Sequence, residues 1–144
     1  MRRTRVLIVD DHTLFAEALT LTLELEARIE VIGHAQTGRE GIELAAAFVP
    51  DVVLMDLEMP GLHGIEATRD LLRVVPHAHV IVLSGSRDSA LVAQALAAGA
   101  SRYVTKDTPA IRLIDEVLEF GADDDDVVVP LIPRDAVFAR GRSA

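Results

Sequence analysis

Val52-Val53-Leu54-Met55-Asp56-Leu57-Glu58-Met59-Pro60-Gly61 is the stretch on which the fold turns. Its first four residues are apolar, rich in β-branched side chains and free of polar alternation, the pattern of a short strand covered on both faces. Two further runs, residues 6–9 and 80–83, have the same character. Between the runs, residues 14–25, 40–48 and 65–74 carry apolar side chains at three- and four-residue spacing, which predicts helices. Punctuation agrees with this parse. Thr37 and Glu40 have capping-box spacing, Ser86 is placed to cap a helix over residues 91–98, and Gly99 stops it. Thr108 followed by Pro109 opens a last helix, residues 110–120, that Gly121 ends. With strands at residues 29–35 and 102–105, the chain reads as five β/α units on a parallel sheet, an α/β fold without sequence repeats.

Composition narrows the function. At 144 residues with 50% hydrophobic content, the chain can fill the core of one ordinary domain. It has no Cys, so disulfides, thiolate nucleophiles and Cys-ligated zinc are excluded, and its chemistry rests on oxygen and nitrogen. A formal charge of −9 and an aromatic share of 3% argue against direct nucleic acid binding, which needs phosphate neutralisation and stacking rings. Arg2, Arg3 and Arg5 imitate the start of a secretory signal, but Asp10 and Asp11 end the apolar run that follows after only four residues. No apolar run reaches the roughly 18 residues of a membrane span, so a cytoplasmic protein without membrane contact is expected. After Phe120 the chain changes character. Residues 123–126 are four consecutive Asp, residues 127–129 are three Val with the pattern of a short strand, and Pro130 and Pro133 follow, so residues 121–144 read as a tail or linker.

In open parallel sheets, ligands bind beyond the carboxyl ends of the strands. Those ends carry Asp10-Asp11, Asp56, Ser84 and Lys106. Carboxylates sharing one pocket repel each other: a pair about 5 Å apart at an effective dielectric near 20 costs on the order of 3 kcal/mol. Such a cluster calls for a cation. With no His or Cys in a suitable pattern, hard oxygen ligands favour Mg2+. Once the charge is neutralised, one carboxylate can attack phosphorus, with Lys106, the Ser84 hydroxyl and main-chain amides near Glu58 stabilising phosphate oxygens.

Taken in order and spacing, Asp10-Asp11-His12-Thr13-Leu14-Phe15, the run from Val52 to Gly61, Leu83-Ser84-Gly85, and Tyr103-Val104-Thr105-Lys106 resemble the receiver domains of two-component response regulators. The resemblance covers residues 4–120, and Lys106 followed by Asp107 is similar to the NarL/LuxR-type subfamily. It implies a flavodoxin-like, doubly wound five-stranded sheet of order 2-1-3-4-5. It also implies that Asp56 accepts a phosphoryl group from a sensor histidine kinase. Asp10, Asp11, Asp56 and the main-chain carbonyl of Glu58 would hold Mg2+. Lys106 would contact the phosphoryl group, while Ser84 and Tyr103 would act as switch residues. His63 stands where the family usually has an acid before the second motif glycine, and the Glu58 side chain is placed to affect water access to a phosphate.

Each of these residues also fits a plainer role. Asp10-Asp11 alone fits a strand-end turn, Ser84 a turn cap, Lys106 a surface charge and Tyr103 partly buried packing. His12, His34, His63, His77 and His79 lack paired ligand spacing and read as surface or packing residues. Residues 123–126 lack the glycine and terminal glutamate of a calcium loop. A phosphohydrolase would carry Asp-x-Asp, whereas Asp56 is followed by Leu57 and Glu58. The expected function is thus a switch and no turnover enzyme. A helix-turn-helix output domain needs about 60 residues, and 24 follow Phe120, which leaves a stand-alone receiver or an isolated receiver part of a DNA-binding regulator. The oligomeric state stays open, a homodimer included.

Overall fold

The computed structural model describes residues 2–59 and 63–121. Strands and helices alternate through the chain: β1 Thr4–Val9, α1 Thr13–Glu24, β2 Ile29–Ala35, α2 Gly38–Phe48, β3 Val52–Asp56, α3 Gly64–Val74, β4 His79–Ser84, α4 Ser89–Ala97, β5 Arg102–Thr105 and α5 Ala110–Glu119. The sheet is parallel throughout, in the order β2-β1-β3-β4-β5. Both the five-strand α/β expectation and the strand order match. Pro60 and Gly61 of the stretch that decides the fold lie outside the described residues, as do residues 123–126 and 127–129.

The uninterrupted apolar runs are explained by the two layers they separate. Along each central strand, alternate side chains point to opposite faces. Leu7, Val9, Val53, Met55, Val80 and Val82 pack with Ala45 of α2, Ala67 and Leu71 of α3 and Ala95 of α4. Their neighbours Val6, Ile8, Val52, Leu54, Ile81 and Leu83 pack with Ala16, Leu19 and Leu23 of α1 and with Leu113 and Val117 of α5. Every residue of β3 is buried. Small residues dominate the helix faces of the first layer, which brings those helices close to the sheet. The edge strand β2 pays less into the core: only its two end residues are buried, and its register against β1 shifts between Val6 and Leu7, leaving Ile32 as the extra residue of a bulge.

Helix starts follow the sequence in one case and depart from it in two. Thr37 Oγ1 accepts from Glu40 N at 3.1 Å, and Glu40 Oε1 accepts from Gln36 N at 2.7 Å, so the capping box forms one residue wide of its usual reciprocal bond. Ser86 is not the cap of α4. Asp88 is, accepting from Ala90 N at 2.9 Å, while Ser86 Oγ accepts from Asp88 N at 3.1 Å one turn earlier. Both residue types cap well, and the acceptor nearer the helix takes the position. At α5 the cap position is Pro109, without a side-chain hydrogen bond, and Thr108 Oγ1 instead meets Thr105 Oγ1 at 3.3 Å. Gly99 ends α4 in the left-handed region at φ 112°, as expected of it.

Because β1 lies between β2 and β3, the chain leaves β1 toward one side and returns on the other, opening a crevice beyond the carboxyl ends of β1 and β3. Gly64 closes its back wall. A Cβ there would fall 2.3 Å from the carbonyl oxygen of Asp56 and 2.7 Å from Leu57 Cα, main-chain atoms that cannot step aside. Gly64→Ala is therefore expected to destabilise the fold by about 2 kcal/mol or more, the upper range for forced overpacking, as measured by urea unfolding.

Candidate functional site

Five strand tips build the crevice. Asp10 follows β1 and is held on its main chain from β2: its N–H donates to the Ala35 carbonyl at 2.9 Å, and its own carbonyl meets His34 Nε2 at 2.7 Å. Asp56 is the last residue of β3, and the next amide, Leu57 N, donates to Leu83 O at 3.3 Å on β4. Ser84 ends β4, and its carbonyl accepts from Lys106 N at 2.9 Å just beyond β5. Hydrogen bonds between adjacent strand ends thus set the spacing of the polar groups, and no long loop carries any of them.

Asp10 is 2% exposed and Asp56 1%, both well inside the protein. Lys106 Nζ stands 3.3 Å from Asp56 Oδ1 and 3.5 Å from Asp10 Oδ2, and 4.9 Å from the Phe15 ring centroid, whose face adds a cation–π contact. Asp56 Oδ1 also accepts from Glu58 N at 3.1 Å, and Asp10 Oδ1 from His12 N at 2.7 Å. Three other carboxylate oxygens, Asp10 Oδ2, Asp11 Oδ1 and Asp56 Oδ2, are buried without a hydrogen-bond partner. One ammonium does not balance three carboxylates, and buried acceptors left unmatched are costly. Ligand atoms from Asp10, Asp11, His12 and Asp56 all lie within 4.8 Å of one another, so the cluster fits a small cation.

Burial is the main influence on Asp56 and pushes its carboxyl pKa upward. The Glu58 amide opposes this, the Asp10 charge reinforces it, and Lys106 opposes it again.

The response regulator receiver domain model matches residues 6–118. This chain belongs to that family. Among its relatives are the transcriptional regulatory protein DegU of Brevibacillus brevis, 40% identical over 80% of this chain and 49% of its own length, and LiaR of Bacillus subtilis, 42% identical over 78% and 54%. The chain therefore spans about half the length of these curated relatives. The signal receiver domain of the putative response regulator NarL from Mycobacterium tuberculosis has the same fold, with TM-score 0.78 and 33% identity over 83% of this chain and 96% of that one. A LuxR-family response regulator from Aurantimonas gives TM-score 0.77 at 31% identity, covering 86% and 91%. Relatives of this kind bear out the expected NarL/LuxR-type resemblance. Among the described residues, no helix is long and apolar enough to cross a membrane.

Within this receiver, the predicted residues Asp10, Asp11, Asp56 and Lys106 come together. Ser84 and Tyr103 meet through a third residue. Ser84 Oγ, fully buried, accepts from Ser86 N at 3.0 Å, and Tyr103 OH donates to Ser86 O at 2.7 Å. Glu58 reaches the pocket through its amide, and its exposed side chain extends toward Gly85. His12 and His34, expected as surface or packing residues, stand beside the acids: the His12 side chain is 65% exposed, and the His34 ring packs against the Asp10 main chain. His12 Nδ1 lies 3.3 Å from both Asp10 Oδ1 and Asp11 Oδ1. Adjacency to Asp11 was the available signal for His12. His34 reaches Asp10 only through the pairing of β2 with β1, which local spacing does not reveal.

The direction of the Asp56 shift has a consequence for stability. A carboxyl whose pKa is raised by folding contributes its full stability below the unfolded value, and that contribution is lost as pH rises through the folded value. Ionised Asp56 therefore weakens the fold at neutral pH. Asp56→Asn is expected to melt at a higher temperature than the wild type at neutral pH without divalent ions, with the gap closing as pH falls through the carboxylate range. Thermal melts at a series of pH values check this.

Proposed function

We propose that this chain is a phosphorylation-controlled signalling switch, in which Asp56 accepts a phosphoryl group from a sensor histidine kinase. The state of Asp56 carries the reading: one oxygen is held by Glu58 N and Lys106, while Oδ2 is buried and has no hydrogen-bond partner. That oxygen is oriented by its neighbours yet available to react. In the transfer, an Asp56 oxygen forms the new O–P bond as the P–N bond of phosphohistidine breaks, and the imidazole leaves with the electron pair. Water later cleaves the acyl phosphate and restores Asp56, so the chain resets itself and is no turnover enzyme.

Asp10, Asp11, Asp56 and the main-chain carbonyl of Glu58 would hold Mg2+, which when bound neutralises the acids and the incoming phosphate oxygens. Lys106 would bind phosphoryl oxygens. Ser84 releases the Ser86 amide to donate its hydroxyl to the phosphoryl group, and Tyr103 then changes its hold on Ser86. The result is a population shift. Taking two states from 1:99 to 99:1 needs about 5.5 kcal/mol of differential stabilisation, which charge-assisted bonds in a buried pocket can approach. The readout surface falls within residues 91–120, residues 4–120 form the receiver unit, and the setting is cytoplasmic.

A second reading concerns the whole protein. Relatives named as transcriptional regulatory proteins are about twice as long as the stretch matched here, which supports this chain being the receiver part of a DNA-binding regulator. DNA contact would then belong to the other part, in keeping with the −9 charge of this one.

Incubation with a small phosphodonor and Mg2+ should add one phosphoryl group by intact mass to the wild type and none to Asp56→Asn. Undiminished labelling of the variant would remove Asp56 as nucleophile. Asp11→Ala should weaken Mg2+ binding, read by calorimetry, by at least the roughly tenfold that losing even an outer-shell partner costs.

A further inference from the structure

We propose that Phe15 is a positioning residue for phosphoryl transfer: the face of its ring holds the Lys106 ammonium at the acid crevice, and the rate at which Asp56 is modified depends on that face. This deepens the switch reading above and rests on it.

Lys106 reaches the crevice on a flexible four-carbon stem, so its direction has to be imposed by its surroundings at a cost in rotamer freedom. Its two acid partners do not fix it alone. Nζ stands 3.3 Å from Asp56 Oδ1 and 3.5 Å from Asp10 Oδ2. Both separations exceed the roughly 2.7–2.9 Å of a charge-assisted hydrogen bond. Packing does not lock the residue either. Lys106 borders a cavity of about 170 Å3 between α1 and α5, whose walls include Phe15, Leu19, Leu83, Val104 and Leu113.

The ring supplies the missing hold. Nζ lies over the Phe15 face, 4.9 Å from its centroid, inside the roughly 6 Å reach of a cation–π contact. The Lys106 side chain is 21% exposed, so the attraction acts with most of the water removed, the condition under which it is strongest. Phe15 is itself anchored. It packs against the buried cluster under α1 and α5, and Leu19, one turn further along α1, shares its face of the helix and is buried.

The ring also differs from the acids in a way that matters for transfer. Asp10 and Asp56 are the groups that a divalent cation and the phosphoryl group would engage, so both would loosen their hold on Lys106 once the crevice is loaded. Phe15 takes part in neither contact and would keep the ammonium directed at the phosphoryl oxygens throughout. A residue needed only for apolar bulk could be Leu. Only an aromatic ring supplies the face, and this separates the two roles.

The test uses the whole chain with Phe15→Leu, which keeps apolar bulk without a ring, and Phe15→Tyr, which keeps the ring. Labelling by acetyl phosphate at saturating Mg2+ is followed by intact mass. Phe15→Leu should label about threefold to thirtyfold more slowly than the wild type, the span of a cation–π contact from exposed to desolvated, and Phe15→Tyr should recover to within about twofold. In proton NMR the Lys106 ε-methylene, bonded to Nζ, should be shifted upfield by the ring in the wild type and in Phe15→Tyr, and return to the ordinary lysine position in Phe15→Leu. That signal follows the placement of Lys106 and does not respond to a general loss of packing. Equal labelling rates in the wild type and Phe15→Leu, a loss in Phe15→Tyr as large as in Phe15→Leu, or an unshifted ε-methylene in the wild type overturns the role of Phe15 and leaves the Asp56 switch standing. If the wild type takes no label at all, the switch reading itself fails, and this inference with it.

Discussion

Three carboxylates crowd one end of a parallel sheet with a single ammonium to offset them, and most of the molecule serves to hold them there. Taking even a paired charge out of water costs several kcal/mol, against a total stability of about 5–15 kcal/mol for a domain of ordinary size. Asp10 and Asp56 follow or end the internal strands β1 and β3, whose residues 6–9 and 52–56 are all buried, so both acids are anchored to the core. A cation bound there would relieve an unfavourable arrangement, and binding and folding would then be linked through the same few oxygens.

Rigidity comes from lacing between adjacent strand tips. Ala35 holds Asp10, Leu83 holds the amide after Asp56, and Ser84 holds Lys106, each through a main-chain hydrogen bond. Groups on strand ends are positioned more tightly than groups on free loops, which suits chemistry that needs donors and nucleophile in fixed relation. Gly64 extends the same logic to the rear of the pocket, since α3 starts against the main chain of Asp56 with no room for a side chain.

Much of this was legible in the chain itself, for reasons that differ by residue. Apolar runs buried on both faces have no polar alternation, so β1, β3 and β4 stand out, and parallel topology sends their carboxyl ends to one edge. That is why Asp10, Asp11, Asp56, Ser84 and Lys106 could be grouped before any coordinates. Helix starts were less clear, because Ser86 and Asp88 are both good caps and only the local turn decides between them. The histidines were hardest. His34 meets Asp10 across a strand pair, and His12 meets the two acids that precede it at the end of β1. Tyr103 was picked out, but the intermediary it shares with Ser84 was not, since contacts through a main-chain group leave no mark on side-chain spacing.

That intermediary has a mechanical meaning. Ser86 is gripped at its amide by the hydroxyl of Ser84 and at its carbonyl by the phenol of Tyr103. If the chain switches at Asp56 as proposed, an event in the acid crevice and an event at the tyrosine would be geared through one residue, like two wheels on a common axle. Such gearing would favour all-or-none behaviour over a graded response.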